Sequence, residues 1–222
     1  MRMAAKSPLI SASIIAAGFH QLEKEISRVG AAGADWLHVD VMDGHFVPNL
    51  TFGPMVTAAL NKLWKKTLDV HLMISNPEKY LEAYRKSGAD IISIHYEVIG
   101  PSPTLLDEIR RLGAKAGLAI NPSTPLDVVD SLLGHFDLLL IMSVVPGFAG
   151  QKFIPEVSSK IKEAAALKKR LGAKFLIEVD GGISKQNAAA VSRSGAEVLV
   201  AGKGIFGERD YHAAVKRLKR VS

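Results

Sequence analysis

Histidine and aspartate residues interrupt three of the apolar segments in this sequence of 222 residues. His38 and Asp40 stand two residues apart in one segment, His71 lies in the next, and Asp180 closes a third. In a β-strand, residues two apart share a face, and charged groups there are costly unless they are paired or ligated. Each residue alone would more often be a hydrogen-bonded core group. Together, the four predict a site for one divalent metal ion, because imidazole and carboxylate ligands suit Zn, Fe, Mn and Co.

Two carboxylates at such a site indicate a particular reaction. A metal bound to a carbonyl oxygen and its neighbouring hydroxyl lowers the cost of removing the proton between them, because it stabilises an enediolate. With Asp40 on one side of the substrate and Asp180 on the other, one aspartate takes the proton and the other returns it to the opposite face. The result is an epimerisation, which needs no organic cofactor.

Glycine-rich segments follow the last three apolar segments and predict a phosphate site. Backbone N–H groups of such loops can cradle a phosphate at the carboxyl ends of late barrel strands. Plain tight turns are the alternative, since glycine is the common turn residue. The candidate binding residues are Gly147, Phe148, Ala149 and Gly150, then Gly181 and Gly182, then Gly202, Lys203 and Gly204.

Eight short segments rich in Val, Ile and Leu must position these residues, and each is followed by a helical pattern. The predicted strands are residues 9–15, 36–41, 68–73, 90–95, 115–120, 138–144, 175–180 and 198–202. The predicted helices are residues 20–32, 54–64, 77–87, 103–112, 125–134, 155–171, 185–194 and 210–220. Strict alternation requires parallel strands. We therefore expect an α/β protein with one (β/α)8 barrel domain over residues 1–222, rather than an open doubly wound sheet.

The formal charge of +6 raises nucleic acid, acidic membranes and anionic metabolites as partners. The basic clusters fall where predicted helices end, and cations there complement the helix dipole. This favours solvated helix ends over a nucleic-acid surface, so we expect neither nucleic acid nor a membrane as partner. The clusters are residues 65–66, 110–111, 168–170, 216–217 and 219–220.

The sequence contains no cysteine, which excludes a disulfide framework, a thiolate nucleophile and a Cys-based zinc site. This composition fits a cytoplasmic protein, which is our expectation. No apolar run approaches 18 residues, so no membrane span is predicted. Arg2 and Lys6 followed by residues 9–18 resemble a signal peptide, but two serines interrupt the apolar stretch and the first strand needs it.

Four motifs resemble the ribulose-phosphate 3-epimerase family. They are HVDVMDGHFVPNLTFGP from His38, LDVHLM from Leu68, MSVVPGFAGQKFIPE from Met142 and EVDGGI from Glu178. The similarity runs from about residue 9 to residue 215. The resemblance implies a TIM barrel of the ribulose-phosphate-binding type and a phosphosugar substrate. The implied reaction is reversible inversion at C3 between D-ribulose 5-phosphate and D-xylulose 5-phosphate.

The resemblance also implies roles for individual residues. The metal ligands would be His38, Asp40, His71 and Asp180, with Asp40 as proton acceptor and Asp180 as proton donor. The metal would be Zn first, with Fe(II), Mn or Co as alternatives. A homo-oligomer, dimeric or hexameric, is implied as well. Substrate contacts fall on Ser13, on His71 and on the glycine-rich loops, and the residues lining the site include Met42, Met73 and Met142.

Several positions depart from the family pattern. Ala16-Ala17-Gly18 stands where the family usually has Ser-Ala-Asp after the first strand. Ala149 replaces a glycine, as in the related allulose 6-phosphate epimerases, which leaves pentulose and hexulose phosphates both open. Val145 replaces a polar residue. Lys203 replaces a serine, and our hypothesis is that its ammonium tightens phosphate binding; an outward-facing lysine is the alternative.

Two other functions fit the sequence less well than epimerisation. Related phosphate barrels that perform decarboxylation or aldol chemistry carry an Asp-x-Lys-x-x-Asp string on the second strand. This sequence has Met42 in place of the lysine and His45 in place of the second aspartate. A non-enzymatic binding module for phosphosugar or nucleic acid would not need two aspartates facing one another across a metal. Both alternatives are therefore disfavoured.

Overall fold

The computed structural model describes residues 7–221 as a closed barrel of eight parallel strands in sequence order. Arg2 and Lys6, which carry the signal-peptide alternative, lie outside the described residues. The strands are β1 (Leu9–Ser13), β2 (Trp36–Met42), β3 (Thr67–Met73), β4 (Ile91–His95), β5 (Lys115–Ile120), β6 (Leu138–Met142), β7 (Leu176–Asp180) and β8 (Val198–Ala201). All eight predicted strands are present, and the predicted (β/α)8 architecture is confirmed.

Helices connect successive strands across the outside of the barrel. They are α1 (Leu22–Ala31), α2 (Pro54–Leu63), α3 (Leu81–Lys86), α4 (Tyr96–Ile99), α5 (Thr104–Arg111), α6 (Val157–Leu171), α7 (Ala188–Ser194), α8 (Lys203–Phe206) and α9 (Tyr211–Leu218). Short 3₁₀ segments cover Ile14–Ala16, Phe19–Gln21, Pro77–Lys79 and Leu126–Leu132. None of the helices in the described part of the chain is long and apolar enough to cross a bilayer. Two short helices, α4 and α8, were absent from the sequence prediction.

The helix predicted over 125–134 is wrong, because Leu126–Leu132 is a 3₁₀ helix. Its sequence combines Asp127, two adjacent valines, Asp130 and a serine, all of which favour α-helix weakly. In a 3₁₀ helix, residues three apart lie in line. This geometry buries Val129 and Leu132 together against the barrel, so the segment covers the core without a full α-helix.

Two layers of side chains fill the structure inside and outside the barrel wall. The larger apolar core lies between the outer faces of the strands and the helices. Inside the barrel, the first residues of the four even-numbered strands are buried and apolar, as expected for barrel layers built from alternate strands. These residues are Trp36, Ile91, Leu138 and Val198. From this apolar layer towards the carboxyl ends of the strands the interior becomes polar, and the candidate active site lies there.

An acidic residue precedes each even-numbered strand and accepts a hydrogen bond from the backbone N–H of the odd-numbered strand before it. The N···O distances are 2.8 Å for Ile10 to Asp35, 2.9 Å for Leu68 to Asp90, 2.9 Å for Ala116 to Asp137 and 3.1 Å for Ile177 to Glu197. Three of these acids also bind cations from the predicted helix-end clusters, namely Lys219, Arg110 and Lys168. The basic helix ends therefore lie at the amino-terminal end of the barrel, away from the carboxyl ends of the strands.

Candidate active site

A cleft of about 340 Å³ opens at the carboxyl ends of the strands. Asp40 from β2 and Asp180 from β7 line its floor together with Ser13 and the predicted methionines Met42, Met73 and Met142. The three glycine-rich segments form its walls. Every one of their predicted residues borders the cleft: Gly147, Phe148, Ala149, Gly150, Gly181, Gly182, Gly202, Lys203 and Gly204. Of the predicted site residues, only His38 and His71 do not border the cleft, and both lie fully buried beneath it.

The four predicted metal ligands form one cluster. One potential ligand atom from each of His38, Asp40, His71 and Asp180 lies within 4.8 Å of the others. Nε2 of His38 is 3.4 Å from Oδ1 of Asp40 and 3.9 Å from Oδ2 of Asp180. Nδ1 of His71 is 3.8 Å from the same Asp40 oxygen and 3.9 Å from the same Asp180 oxygen. Two imidazoles therefore face the same pair of carboxylate oxygens.

The two ring nitrogens that face the carboxylates fit a bound cation. Nε2 of His38 and Nδ1 of His71 are fully buried and have no hydrogen-bond partner among the described residues. Such atoms are costly unless something satisfies them. Burial lowers the pKa of His71 to about 4, which favours the neutral ring that a metal requires. Two nitrogens and two carboxylate oxygens in this arrangement are a suitable donor set for a divalent transition metal.

Asp69 supports His38 from the opposite side. Nδ1 of His38 lies 2.6 Å from Oδ2 of Asp69, and the hydroxyl of Ser11 donates to the same oxygen at 3.2 Å. Burial opposes a charge on His38, but the carboxylates of Asp69 and Asp40 raise its pKa well above the ordinary value in the metal-free chain. A cation that binds at Nε2 would therefore release a proton from this ring. A carboxylate on one ring nitrogen orients the other, which is the usual arrangement around a metal-binding histidine.

The two aspartates of the cleft have pKa values shifted in opposite directions. Burial acts to raise the pKa of Asp40, but His38 and His71 lower it far below the ordinary value. Burial and the neighbouring charge of Asp40 raise the pKa of Asp180 to about 7. The hydroxyl of Ser13 donates a hydrogen bond to Oδ2 of Asp40, which further favours its ionised form. At neutral pH the carboxyl of Asp40 is therefore ionised, and that of Asp180 is partly protonated.

A second pair of acidic residues lies deeper in the barrel than Asp40 and Asp180. Glu178 and Asp69 lie within reach of His38, and both oxygens of Glu178 are buried without a hydrogen-bond partner in residues 7–221. Burial and the charge of Asp69 raise the pKa of Glu178 well above its ordinary value. The neutral carboxyl is therefore favoured, and this buried pair does not place two full negative charges side by side.

The backbone around Gly182, two residues after Asp180, leaves no room for a side chain. The amide N–H of Ser143 donates to the carbonyl of Asp180 at 2.7 Å, so β6 fixes the end of β7. Gly182 has a φ of +65°, and a Cβ there would collide with the backbone of Phe153. The loop after β7 can therefore turn sharply beneath the loop after β6 only with glycine at this position.

Lys203, the first residue of α8, extends across the cleft to the loop after β6. Its side chain borders the cleft and lies against Gly150, where a Cβ would overlap its end. The side chain therefore lies along the cleft. Gly150, with a φ of +80°, supplies the space that the lysine occupies. An ammonium group consequently stands beside the glycine-rich walls.

Sequence reasoning overlooked two residues at the end of β4. His95 is fully buried beside His71, with their Nε2 atoms 2.8 Å apart, and Glu97 binds Nδ1 of His95 at 2.9 Å. The rule that polar residues at strand ends carry chemistry would have found His95, since β4 ends at that residue. Glu97 lies in α4, a helix that the sequence pattern did not predict.

Comparisons with solved structures agree with the barrel architecture. A 3-hexulose-6-phosphate synthase from Salmonella typhimurium superimposes with a TM-score of 0.66 at 16% identity, covering 96% of this chain and 97% of that one. A mutant tryptophan synthase α-subunit from Pyrococcus furiosus gives a TM-score of 0.67 at 15% identity, covering 99% of both chains. Identities this low show the fold alone. The fold is that of a TIM-barrel protein, and its polar cleft lies at the carboxyl ends of the strands, where active sites of this fold are found.

Sequence relatives identify the family. The profile of the ribulose-phosphate 3 epimerase family matches residues 9–206. Ribulose-phosphate 3-epimerase from Synechocystis is 51% identical over 213 residues, covering 95% of this chain and 92% of the relative. The Bacillus subtilis enzyme of that name is 44% identical and covers 95% and 97%, and the chloroplastic enzyme of Arabidopsis thaliana is 46% identical and covers 95% and 76%. The chain belongs to the ribulose-phosphate 3 epimerase family, an enzyme family of carbohydrate isomerases.

Proposed function

We propose that the protein catalyses the reversible, metal-dependent epimerisation of D-ribulose 5-phosphate to D-xylulose 5-phosphate at C3. The observation that carries this proposal is geometric: the carboxylates of Asp40 and Asp180 border one cleft, and each contributes an oxygen to the cluster with His38 and His71. Asp40 has a lowered pKa and Asp180 has a pKa raised to about 7, and both border one cleft. The relatives named above supply the substrate class. Inversion at carbon requires one group that removes a proton and one that delivers a proton to the opposite face.

The proton transfers follow from the states of the two aspartates. Ionised Asp40 takes the proton from C3 of ribulose 5-phosphate, and the electron pair left behind forms an enediolate with the neighbouring carbonyl. Protonated Asp180 then donates its proton to the opposite face of C3. In the reverse direction the two roles exchange. The pKa near 7 suits Asp180 to hold and release a proton near neutrality.

His38, His71, Asp40 and Asp180 would hold the divalent ion. When bound, such an ion polarises the substrate carbonyl and hydroxyl oxygens and so makes the C3 proton easier to remove. Asp69 and the hydroxyl of Ser13 hold His38 and Asp40 in the orientation that this requires. We propose Zn first, with Fe(II), Mn and Co as the alternatives to be tested.

The walls of the cleft would hold the phosphate. Gly147 to Gly150, Gly181, Gly182, and Gly202 to Gly204 border one space, and Lys203 adds a positive charge to it. Glycines allow close approach of backbone N–H groups to a phosphate. The phosphate subsite lies at the rim and the carboxylates on the floor, so a phosphosugar held at the rim would extend its carbonyl end towards the two aspartates.

A coupled assay on metal-analysed protein tests the proposal. Ribulose 5-phosphate and allulose 6-phosphate should be compared under Zn, Fe(II), Mn and Co, with metal content measured in each sample. We expect strong preference for the pentulose with at least one of the four metals. Preference for the hexulose would keep the two-aspartate mechanism and change the substrate. Absence of turnover on both sugars, together with nucleic-acid binding that weakens with salt, would overturn the proposal in favour of a binding module.

A further inference from the structure

A chain of hydrogen-bonding groups connects His71 with the outside of the barrel. Nε2 of His71 lies 2.8 Å from Nε2 of His95, and Nδ1 of His95 lies 2.9 Å from Oε2 of Glu97. The side chains of both histidines are fully buried, and that of Glu97 is 22% exposed. The proposed mechanism uses neither His95 nor Glu97.

Glu97 is held as a carboxylate at the end of this chain. Its Oε1 accepts a hydrogen bond from the backbone N–H of Asn121 at 2.9 Å and another from the hydroxyl of Thr124. Burial acts to raise the pKa of Glu97, but the bonds from His95, Thr124 and Asn121 lower it to about 2. An ionised carboxylate can only accept hydrogen bonds.

The position of each proton along the chain follows from that fact. Because Glu97 only accepts, Nδ1 of His95 must carry a proton. In a neutral ring the other nitrogen then has the lone pair, so Nε2 of His95 accepts a hydrogen bond. Nε2 of His71 is the donor to it. The remaining nitrogen of His71, Nδ1, is left with a lone pair. This is the buried atom that faces Asp40 and Asp180 and that has no partner in the described structure.

The two histidines therefore present different ring nitrogens to the same pair of carboxylates, Nε2 of His38 and Nδ1 of His71. His38 is fixed directly by Asp69 at Nδ1, which leaves Nε2 towards the cluster. His71 is fixed at Nε2 through His95, which leaves Nδ1 towards the cluster. A carboxylate orients each imidazole. Asp69 bonds directly to His38, whereas Glu97 bonds to His71 through His95.

We propose that His95 and Glu97 are positioning residues that fix the tautomer of His71, so that its Nδ1 lone pair faces a divalent cation. This inference rests on the metal centre in the proposed function and extends it to two residues that do not touch the metal. Carboxylates behind metal-binding histidines typically change metal affinity by about 10- to 100-fold when they are altered.

The substitution Glu97→Gln tests the proposal with little change of shape. The glutamine carbonyl can still accept from Asn121 and Thr124, while its amide N–H donates to Nδ1 of His95. Every hydrogen bond in the chain then reverses, and the proton of His71 moves from Nε2 to Nδ1. Long-range ¹H–¹⁵N spectra of the metal-free full chain report which nitrogen of each histidine is protonated. Competition with a chelator measures the affinity for Zn²⁺ alone.

We expect the tautomer of His71 to switch in Glu97→Gln and the Zn²⁺ affinity to fall by about 10- to 100-fold. The control is Asp107→Asn, which alters the carboxylate bonded to Nδ1 of His135 at 2.8 Å, outside the cleft. This control should leave the tautomer of His71 and the Zn²⁺ affinity at the wild-type values. An unchanged tautomer or an unchanged affinity in Glu97→Gln overturns the inference.

A second variant covers the case in which Glu97→Gln does not fold. In His95→Gln, the amide N–H donates to Glu97 and the carbonyl accepts from Nε2 of His71, so the order of donors is kept. We expect the wild-type tautomer of His71 and a Zn²⁺ affinity within about threefold. Loss of both would overturn the inference. Zn²⁺ that fails to bind the wild-type chain would instead overturn the proposed metal centre itself, which separates the two failures.

Discussion

The two ends of the barrel differ in how their charged groups are satisfied. At the amino-terminal end, Asp35, Asp90, Asp137 and Glu197 each accept a strand N–H, and three of them also bind a lysine or arginine. At the carboxyl end, two buried imidazole nitrogens have no partner within the part of the chain that the structure describes. Both ends carry aspartates at strand termini, so residue type alone does not separate them.

This difference separates structural charges from functional ones. A group whose hydrogen bonds are completed within the chain contributes to stability and has no capacity left for a ligand. The unpartnered nitrogens of His38 and His71 cost stability in the free protein and are compensated only when something binds. Substitutions at the carboxyl end should therefore change catalysis, and those at the amino-terminal end should change unfolding.

The largest effect is expected from Asp180→Asn. Asparagine keeps the size of the side chain and removes the acidic proton, so epimerisation in both directions should fall by about 10³-fold or more. Ionised Asp40 remains, and it can still remove the C3 proton and return it to the same face. In D₂O, ribulose 5-phosphate should consequently exchange its C3 hydrogen for deuterium without forming xylulose 5-phosphate.

The matched variant is Asp40→Asn, which should lose both exchange and epimerisation with ribulose 5-phosphate. Metal content must be measured in each variant, because both aspartates are also candidate ligands. Substantial epimerisation by metal-replete Asp180→Asn would contradict the role proposed for this residue. Equal exchange in the two variants would contradict the assignment of acceptor and donor.

A smaller effect at the carboxyl end is expected from Lys203→Ala. Its ammonium borders the cleft beside Gly150, but the residue is solvent-exposed, so the charge is screened. The KM for ribulose 5-phosphate should rise by about tenfold with little change in kcat. Lys203→Arg should restore most of the affinity, and Lys152→Ala, which removes an exposed lysine outside the cleft, should leave KM unchanged. A wild-type KM in Lys203→Ala would show that the lysine does not contact the substrate.

The sequence contained most of the information about the barrel and its site. Alternating strand and helix patterns located all eight strands within about two residues at each end. The sequence also indicated where helices end, because glycine followed by alanine recurs before five predicted strands. The acids that follow in three of these repeats, such as Asp35, were not predicted to bond to a neighbouring strand. That role depends on which strands become neighbours, and a local pattern does not contain this information.

The candidate site shows the same limit. His38, Asp40, His71 and Asp180 were found by their two-residue spacing and strand ends, and the structure brings them together. The chain from His71 to Glu97 was missed, because Glu97 acts through a short helix and through contacts with Asn121 and Thr124, 24 and 27 residues away. Which nitrogen of a histidine faces a ligand depends on such contacts, and sequence spacing does not reveal it.

At the amino-terminal end, Asp137→Asn should reduce stability and leave catalysis unchanged. Arg110 binds Asp137 through two nitrogens, at 3.1 and 2.7 Å. Asparagine can still accept the N–H of Ala116 but loses the charge, so the free energy of unfolding should fall by about 1 kcal/mol. Urea denaturation measures this change. A kcat or KM that differs more than about twofold from wild type would break the distinction between the two ends.

The smallest effect is the pH dependence of that same stabilisation. Burial acts to raise the pKa of Asp137, but the hydrogen bonds from Arg110 and the N–H of Ala116 hold it below the ordinary value of 3.8. A carboxyl with a lowered pKa binds its proton more weakly in the folded chain than in the unfolded chain. Its stabilisation of the fold is therefore complete at pH values above the ordinary pKa, and it is lost as pH falls through the folded pKa. The difference in unfolding free energy between wild type and Asp137→Asn should therefore stay constant from neutral pH down to about pH 4 and shrink below it. Urea denaturation of both proteins over this range measures the difference, and one that persists unchanged at lower pH would show that the substitution acts through packing instead of charge.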